Sequence, residues 1–165
     1  MIKDFKYGFL NLNTRKFNSI LNDILKTIII FEDNYVFKVS RVLEKEPCHQ
    51  SNLVDYCLNN SILNRMLRTD EINNRTFDCN FQQIKLNVDF SYLYYCLVFK
   101  NCIQVFKISH NNIRNISNFC NKQHKNNFDE SQFHINNLNY SKHLDNLVHV
   151  IDYKEIFNIL LTMEA

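Results

Sequence analysis

A single glycine and a single proline in 165 residues constrain this chain more than any other feature of its sequence. Phosphate-cradling loops of the Walker and Rossmann types need several closely spaced glycines, so they are excluded. Collagen-like and proline-rich designs are excluded by the same count. The chain can nevertheless fold around a core, because 45% of its residues are hydrophobic and 14 Phe and 8 Tyr supply large apolar surfaces. A length of 165 residues and a mass of 19.9 kDa suit one domain spanning 1–165. The net charge of +2 excludes a strongly basic nucleic-acid tail and an acidic solvating chain. Asn, Ile, Lys, Phe and Tyr make up 78 of the 165 residues, and Asn alone 26. These are residues of AT-rich codons, and the asparagines are scattered among periodic apolar positions, so nucleotide bias explains them better than a prion-like tract.

Periodicity places the elements. Phe17, Ile20, Leu21, Ile24, Leu25, Ile28 and Ile29 recur at helical spacing, which predicts an amphipathic helix over 14–30 with Asn13 or Thr14 as its N-cap. YVFKVSRVL, from residue 35, alternates like a strand, and its even positions Val36, Lys38 and Ser40 share one face while Tyr35, Phe37 and Val39 share the other. Residues 50–68 carry Leu53, Val54, Cys57, Leu58, Ile62, Leu63, Met66 and Leu67 and suit one helix or two. Residues 77–86 fit either a strand or a helical turn. SYLYYCLVF and CIQVFKI, linked by Lys100-Asn101, predict a hairpin in which Asn tolerates positive φ. Ile113, Ile116 and Phe119 suggest a short helix, 121–132 a polar loop, and Tyr153, Ile156, Phe157, Leu160 and Leu161 a C-terminal helix. This order predicts an α/β (α+β) fold, a small mixed β-sheet flanked by helices.

The six cysteines have no CxxC spacing and lie largely in apolar runs, so they read as buried and reduced. Cys120 and His124 have zinc-type spacing, but no second pair completes four ligands. No apolar stretch is long enough to span a membrane, and a cytoplasmic location with no membrane partner is the expectation.

Lys38 is an ammonium set among apolar strand residues. A nuclease that hydrolyses phosphodiesters with a divalent metal needs carboxylates to hold the ion and a nearby lysine to stabilise charge or orient water. The strand supplies the lysine, but Val36 stands two residues before it, where the acid belongs on the same face. Asp33, at the strand entrance with Glu32 beside it, is the candidate metal ligand and catalytic acid. The bland alternative is a lysine snorkelling at a sheet edge and an aspartate in a turn. Gln82, Gln83 and Lys85 are types that hydrogen-bond base edges or phosphates. Asp78, Gln83 and Lys85 form a second, lower-ranked metal-type pattern.

Taken together, YVFKVSRV at 35–42, FDCNFQQIK at 77–85 and FSYLYYCLVFKNCIQVFKISHNNI at 90–113 resemble a group of type II restriction endonucleases of the PD-(D/E)xK nuclease superfamily. SQFHINNLNY at 131–140 resembles the tail of some of them. The similarity covers about two thirds of the chain. It implies a restriction-endonuclease-like fold in which Lys38 matches the motif lysine, Ser40 and Arg41 the polar residues after it, and Gln82 and Gln83 a helix behind the site or facing DNA. It implies double-stranded DNA as partner, Mg²⁺ as cofactor if the chain is catalytic, site-specific deoxyribonuclease activity and a homodimer. Val36 departs from the motif acid, and Asp33 lies closer to Lys38 than the family's upstream acid, for which Asp23 is a substitute. A non-catalytic subunit of the same fold, binding DNA or a partner, is the alternative, and an unrelated small α/β interaction protein is the third.

Overall fold

A computed structural model describes residues 2–45, 62–121 and 130–164. The helices α1 (Ile2–Leu10) and α2 (Thr14–Leu25) lead into strand β1 (Tyr35–Arg41). A single helical turn α3 (Ile62–Arg65) precedes β2 (Asp78–Ile84), β3 (Tyr92–Val98) and β4 (Cys102–Ser109). A 3₁₀ helix (His110–Asn115), β5 (Phe119–Cys120) and β6 (Ser131–Asn136) follow. The chain then forms α4 (Tyr140–His143), β7 (Leu147–Asp152) and α5 (Tyr153–Glu164).

Two sheets result. The larger has the order β1-β3-β4-β7, with β1 parallel to β3 and the other pairs antiparallel. The smaller is antiparallel, in the order β2-β6-β5. The helices α1, α2 and α5 pack on one face of the larger sheet, where Phe17, Leu21, Ile24 and Ile156 meet Tyr94, Cys96, Ile103 and Val105. The smaller sheet covers the other face, where Cys79, Phe81, Phe133 and Ile135 meet Leu93, Tyr95, Leu97 and Phe106. The molecule is therefore a mixed α+β protein, with layers of helices, a mixed sheet and a second sheet. β3 and β4 are buried on both faces, which is why their sequences are continuous apolar runs rather than alternating ones.

The amphipathic helix is α2, and Asn13 caps it by accepting from the Lys16 amide at 2.9 Å. It closes at Leu25, short of the expected 30. The 77–86 segment is a strand, not a helix, with a bulge between Phe81 and Ile84 where Gln83 has φ 58°. The short helix expected from Ile113, Ile116 and Phe119 is a 3₁₀ helix that ends at Asn115 and holds only Ile113, while Ile116 is extended and Phe119 opens β5. Residues 131–136 and 147–152 form strands that periodicity did not reveal. The early part of the expected 50–68 helix, His124 and the cysteines at 48 and 57 lie outside the described residues. Cys79, Cys96, Cys102 and Cys120 are free thiols, and the first three are buried. No helix among the described residues is long and apolar enough to cross a membrane.

Positive φ falls on Asn34, Gln83 and Asn118, whereas the single glycine, Gly8, lies inside α1. Among the described residues asparagine thus fills two of the three left-handed positions, because its short polar side chain tolerates that geometry best after glycine. The β3–β4 hairpin turns at Lys100-Asn101 as expected, with Phe99 N–H donating to Cys102 O at 2.9 Å, but neither turn residue has positive φ. Asn101 is held instead from outside: its Oδ1 accepts from the Thr69 amide at 3.0 Å, and Lys100 N–H donates to Leu67 O at 2.8 Å.

One polar cluster lies in the core. Tyr95 hydroxyl is 3.0 Å from His143 Nδ1, and Asn146 Nδ2 donates to the same hydroxyl oxygen at 3.0 Å. The His143 ring stacks on Phe133 and is 1% exposed. Burial pulls its pKa down to about 4 from 6.5.

Two predictions follow from this packing. A Cβ added at Gly8 would meet nothing within 4 Å, so Gly8→Ala gains helix propensity without a clash; urea unfolding is expected to show a gain of ~0.5–1 kcal/mol. His143 is held neutral, so below pH 6.5 the unfolded chain binds a proton that the folded chain refuses until about pH 4. Its contribution is complete above pH 6.5 and declines as pH falls through that window, and in His143→Phe the pH slope of unfolding stability across it is expected to flatten.

Candidate nucleic-acid interface

β1 is the edge strand of the larger sheet, and its alternation divides the candidate residues between two sides. Val36, Lys38 and Ser40 face the smaller sheet, and Tyr35, Phe37, Val39 and Arg41 face the helices. Val36 packs against the apolar core between the sheets, so the position of the motif acid is occupied by a hydrocarbon side chain in apolar surroundings. Lys38, in register with Tyr95 of β3, is half-buried. Burial draws its ammonium below the usual lysine range, Glu130 opposes that change and Lys85 reinforces it. Two lysines and one carboxylate, from three separate segments, therefore share an electrostatic environment.

The topology explains this grouping. Ser131, the first residue of β6, pairs with Ile84, the last of β2, so their chain neighbours Glu130 and Lys85 emerge at the same end of the smaller sheet. Glu130 went unrecognised in the sequence because the segment before it reads only as polar loop. The available signal was the alternation of SQFHIN directly after it, which marks a strand start and places an acid at its mouth.

The other expected residues are distributed differently. Asp33 is exposed on the turn that opens β1, where Asn34 has φ 59° and donates through its side chain to Asp89 O at 2.8 Å. Between Tyr35 and Lys38 the strand rises ~10 Å, so a carboxylate at 33 stands at the entrance of the strand and not beside the ammonium. Glu32 pairs with Lys107 at 3.1 Å, and Lys107 lies over the Tyr92 ring. Asp23 is on the exposed side of α2, whose layer covers the opposite face of the sheet. Asp78 faces outward from the smaller sheet and pairs with His134 at 3.0 Å, five residues along the chain from Gln83. Among the described residues no three His, Cys, Asp or Glu side chains gather in a metal-type group.

Ser40 hydrogen-bonds the Cys79 thiol, and Cys79 Sγ also donates to Arg41 O at 3.6 Å, so the end of β1 is fastened to β2. Burial pushes the Cys79 thiol up to about 12, which keeps it protonated. Arg41 serves the helical side: its Nη2 donates to Leu12 O at 2.9 Å and its guanidinium lies 4.6 Å from the Phe17 ring centre. Those contacts occupy the group that the resemblance assigns to DNA. Gln82 and Gln83 lie on the bulged end of β2, not on a helix, and both are exposed next to exposed Lys85.

The architecture defines the chain as a mixed α+β protein with a half-buried lysine on an edge strand. Comparison with family models, with curated proteins and with solved structures gives no match.

Lys38 distinguishes a binding residue from a packing one by its stability signature. The fold holds its ammonium at a desolvation cost, so Lys38→Met, which keeps the stem and removes the charge, is expected to leave the urea midpoint unchanged or raised. A lowered midpoint would mean that the charge itself supports the fold.

Proposed function

We propose that this protein is a restriction-endonuclease-like module that binds double-stranded DNA without cutting it. The observation that carries this reading is half-buried Lys38 within electrostatic reach of exposed Lys85, which follows Gln82 and Gln83 of the β2 bulge in the chain. Lysines neutralise phosphates and release counterions, while glutamine amides reach phosphate oxygens or adenine edges. The apolar setting of Val36, at the place of the motif acid, supports binding over hydrolysis, because a divalent ion bound for phosphodiester cleavage is held through carboxylates. A homodimer would double the basic face presented to DNA. Free thiols and a DNA partner suit a cytoplasmic setting.

Glu130 favours one second reading. As an acid within electrostatic reach of Lys38, it would supply a carboxylate for Mg²⁺, with Lys38 stabilising the charge that develops on the phosphate during water attack.

Fluorescence anisotropy of a labelled duplex across a salt series tests the binding reading. Affinity is expected to fall as salt rises, and Lys38→Ala and Lys85→Ala are each expected to weaken binding and lower the logarithmic salt slope by ~0.9, the share of one phosphate contact. Unchanged affinity and slope in both variants would overturn it. Incubation with Mg²⁺ separates the second reading: cleavage lost in both Lys38→Ala and Glu130→Gln would establish hydrolysis, and intact duplex supports binding alone.

A further inference from the structure

β7 closes one side of the larger sheet, and among the described residues no strand pairs with its outer side. An edge strand directs the N–H and C=O of alternate residues away from its sheet, and proteins that keep such an edge bare guard it with Lys, Pro or an inward charge. Leu147-Val148-His149-Val150-Ile151 carries no Lys, Arg, Asp, Glu or Pro. The one acid of the strand, Asp152, stands at its end, where its Oδ1 accepts from the Glu155 amide at 2.8 Å and caps α5. The strand also presents hydrocarbon to solvent: Val148 is 49% exposed and Val150 48%.

The two valines share a side. Val150 lies opposite Gln104 of β4, whose Oε1 accepts from the Tyr140 hydroxyl at 2.8 Å, so both project toward the smaller-sheet layer. The register shift opposite Phe106 makes Val148 the extra residue, and from there the strand alternates, with Ile151 in the helical core and His149 on that same side.

The order of the residues selects the partner. Two antiparallel strands related by a two-fold axis perpendicular to the sheet keep every side chain on its own face. Leu147-Val148-His149-Val150-Ile151 has the same character read from either end. A second copy set antiparallel about His149 therefore places Val148 opposite the partner's Val150, and Val150 opposite the partner's Val148. Asp152 then faces the partner's Asn146, an amide, and no two like charges meet. An axis at Val150 would instead set Val148 against the partner's Asp152, hydrocarbon against a carboxylate. A net charge of +2 per copy adds little repulsion between them.

We propose that β7 pairs with β7 of a second copy of this chain, antiparallel about a two-fold axis at His149, which joins the two four-stranded sheets into one. The seam supplies the homodimer that the DNA reading invokes, but it is read from β7 alone and makes no use of Lys38. One strand per copy makes an interface at the small end of the specific range, so a dissociation constant on the order of micromolar is expected.

Sedimentation equilibrium of the full chain, without DNA, over a micromolar concentration series provides the test, and a monomer–dimer equilibrium is the expected result. Val148→Lys and Val150→Lys, at half-exposed positions where a lysine stem fits without entering the core, are each expected to weaken dimerisation about tenfold or more, because the two-fold counts each substitution twice. Val88→Lys, at an exposed valine on the turn between β2 and β3, is expected to leave it unchanged. Mild oxidation is expected to link His149→Cys into a covalent dimer beyond the wild-type background and to leave Val150→Cys unlinked, since only the residue on the axis meets its own copy. A wild-type chain that stays monomeric through the high-micromolar range, dimerisation unchanged in both lysine variants, or no excess linkage in His149→Cys would overturn the proposal. The DNA reading fails by a different observation, unchanged duplex affinity in the Lys38 and Lys85 variants.

Discussion

Burial of the β3–β4 hairpin on both faces is the constraint on which the rest of the structure depends. Tyr94, Cys96, Ile103 and Val105 need one apolar cover, and Leu93, Tyr95, Leu97 and Phe106 need another. The α1, α2 and α5 layer provides the first and the β2-β6-β5 sheet the second. Each covering element needs only one apolar face, so its other face is free to be polar, as in the Asp78–His134 and Asn80–Gln132 pairs on the outside of the smaller sheet. β1 and β7, at the edges, are covered less completely than the central strands. An edge strand is the place in such a sheet where a lysine can keep its stem among hydrocarbon and its ammonium near water. Lys38 uses that position.

The same layering decides which polar groups are available for chemistry. Arg41 is one residue beyond Ser40, but it points into the other layer and is engaged with Leu12 and Phe17. Glu130 is far from Lys38 in the chain, but the β2–β6 register brings it into the lysine's electrostatic environment. Asparagine has a parallel role in the backbone. Asn34 and Asn118 take left-handed conformations, and Asn101, Asn137 and Asn139 fasten turns through side-chain bonds to neighbouring segments. A residue type plentiful through codon bias therefore carries out turn chemistry that other chains assign to glycine.

Strong local periodicity was legible. The apolar positions of α2, the alternation of β1, the paired apolar runs of the hairpin and the C-terminal helix all appear in the chain order expected of them, because each buries a face wide enough to repeat several times. β6 and β7 went unread: SQFHIN carries only a short alternation of Phe133 and Ile135, LVHVID is as brief, and both gain most of their meaning against the neighbours they pair with. Gln82 and Gln83 were read through a family resemblance as helical, whereas the β6 pairing holds them in a bulged strand. Arg41 could have been separated from Lys38 by strand parity alone, since it shares odd positions with Phe37 and Val39. His143 gave no signal, because an isolated histidine among polar residues carries no period.

Sequence by itself determined that a chain with one glycine and this many large apolar residues makes a mixed α+β core without glycine-built phosphate loops, and that Lys38 occupies an apolar strand. Those conclusions rest on composition and on periods of two and of three to four residues, which are local properties. Tertiary structure alone decided that Glu130 and Lys85 act on Lys38, that Arg41 belongs to the helical layer, and that His143 meets Tyr95 in the core. Each is a meeting of segments distant in the chain, and such meetings depend on the register and stacking of sheets, which no local period encodes.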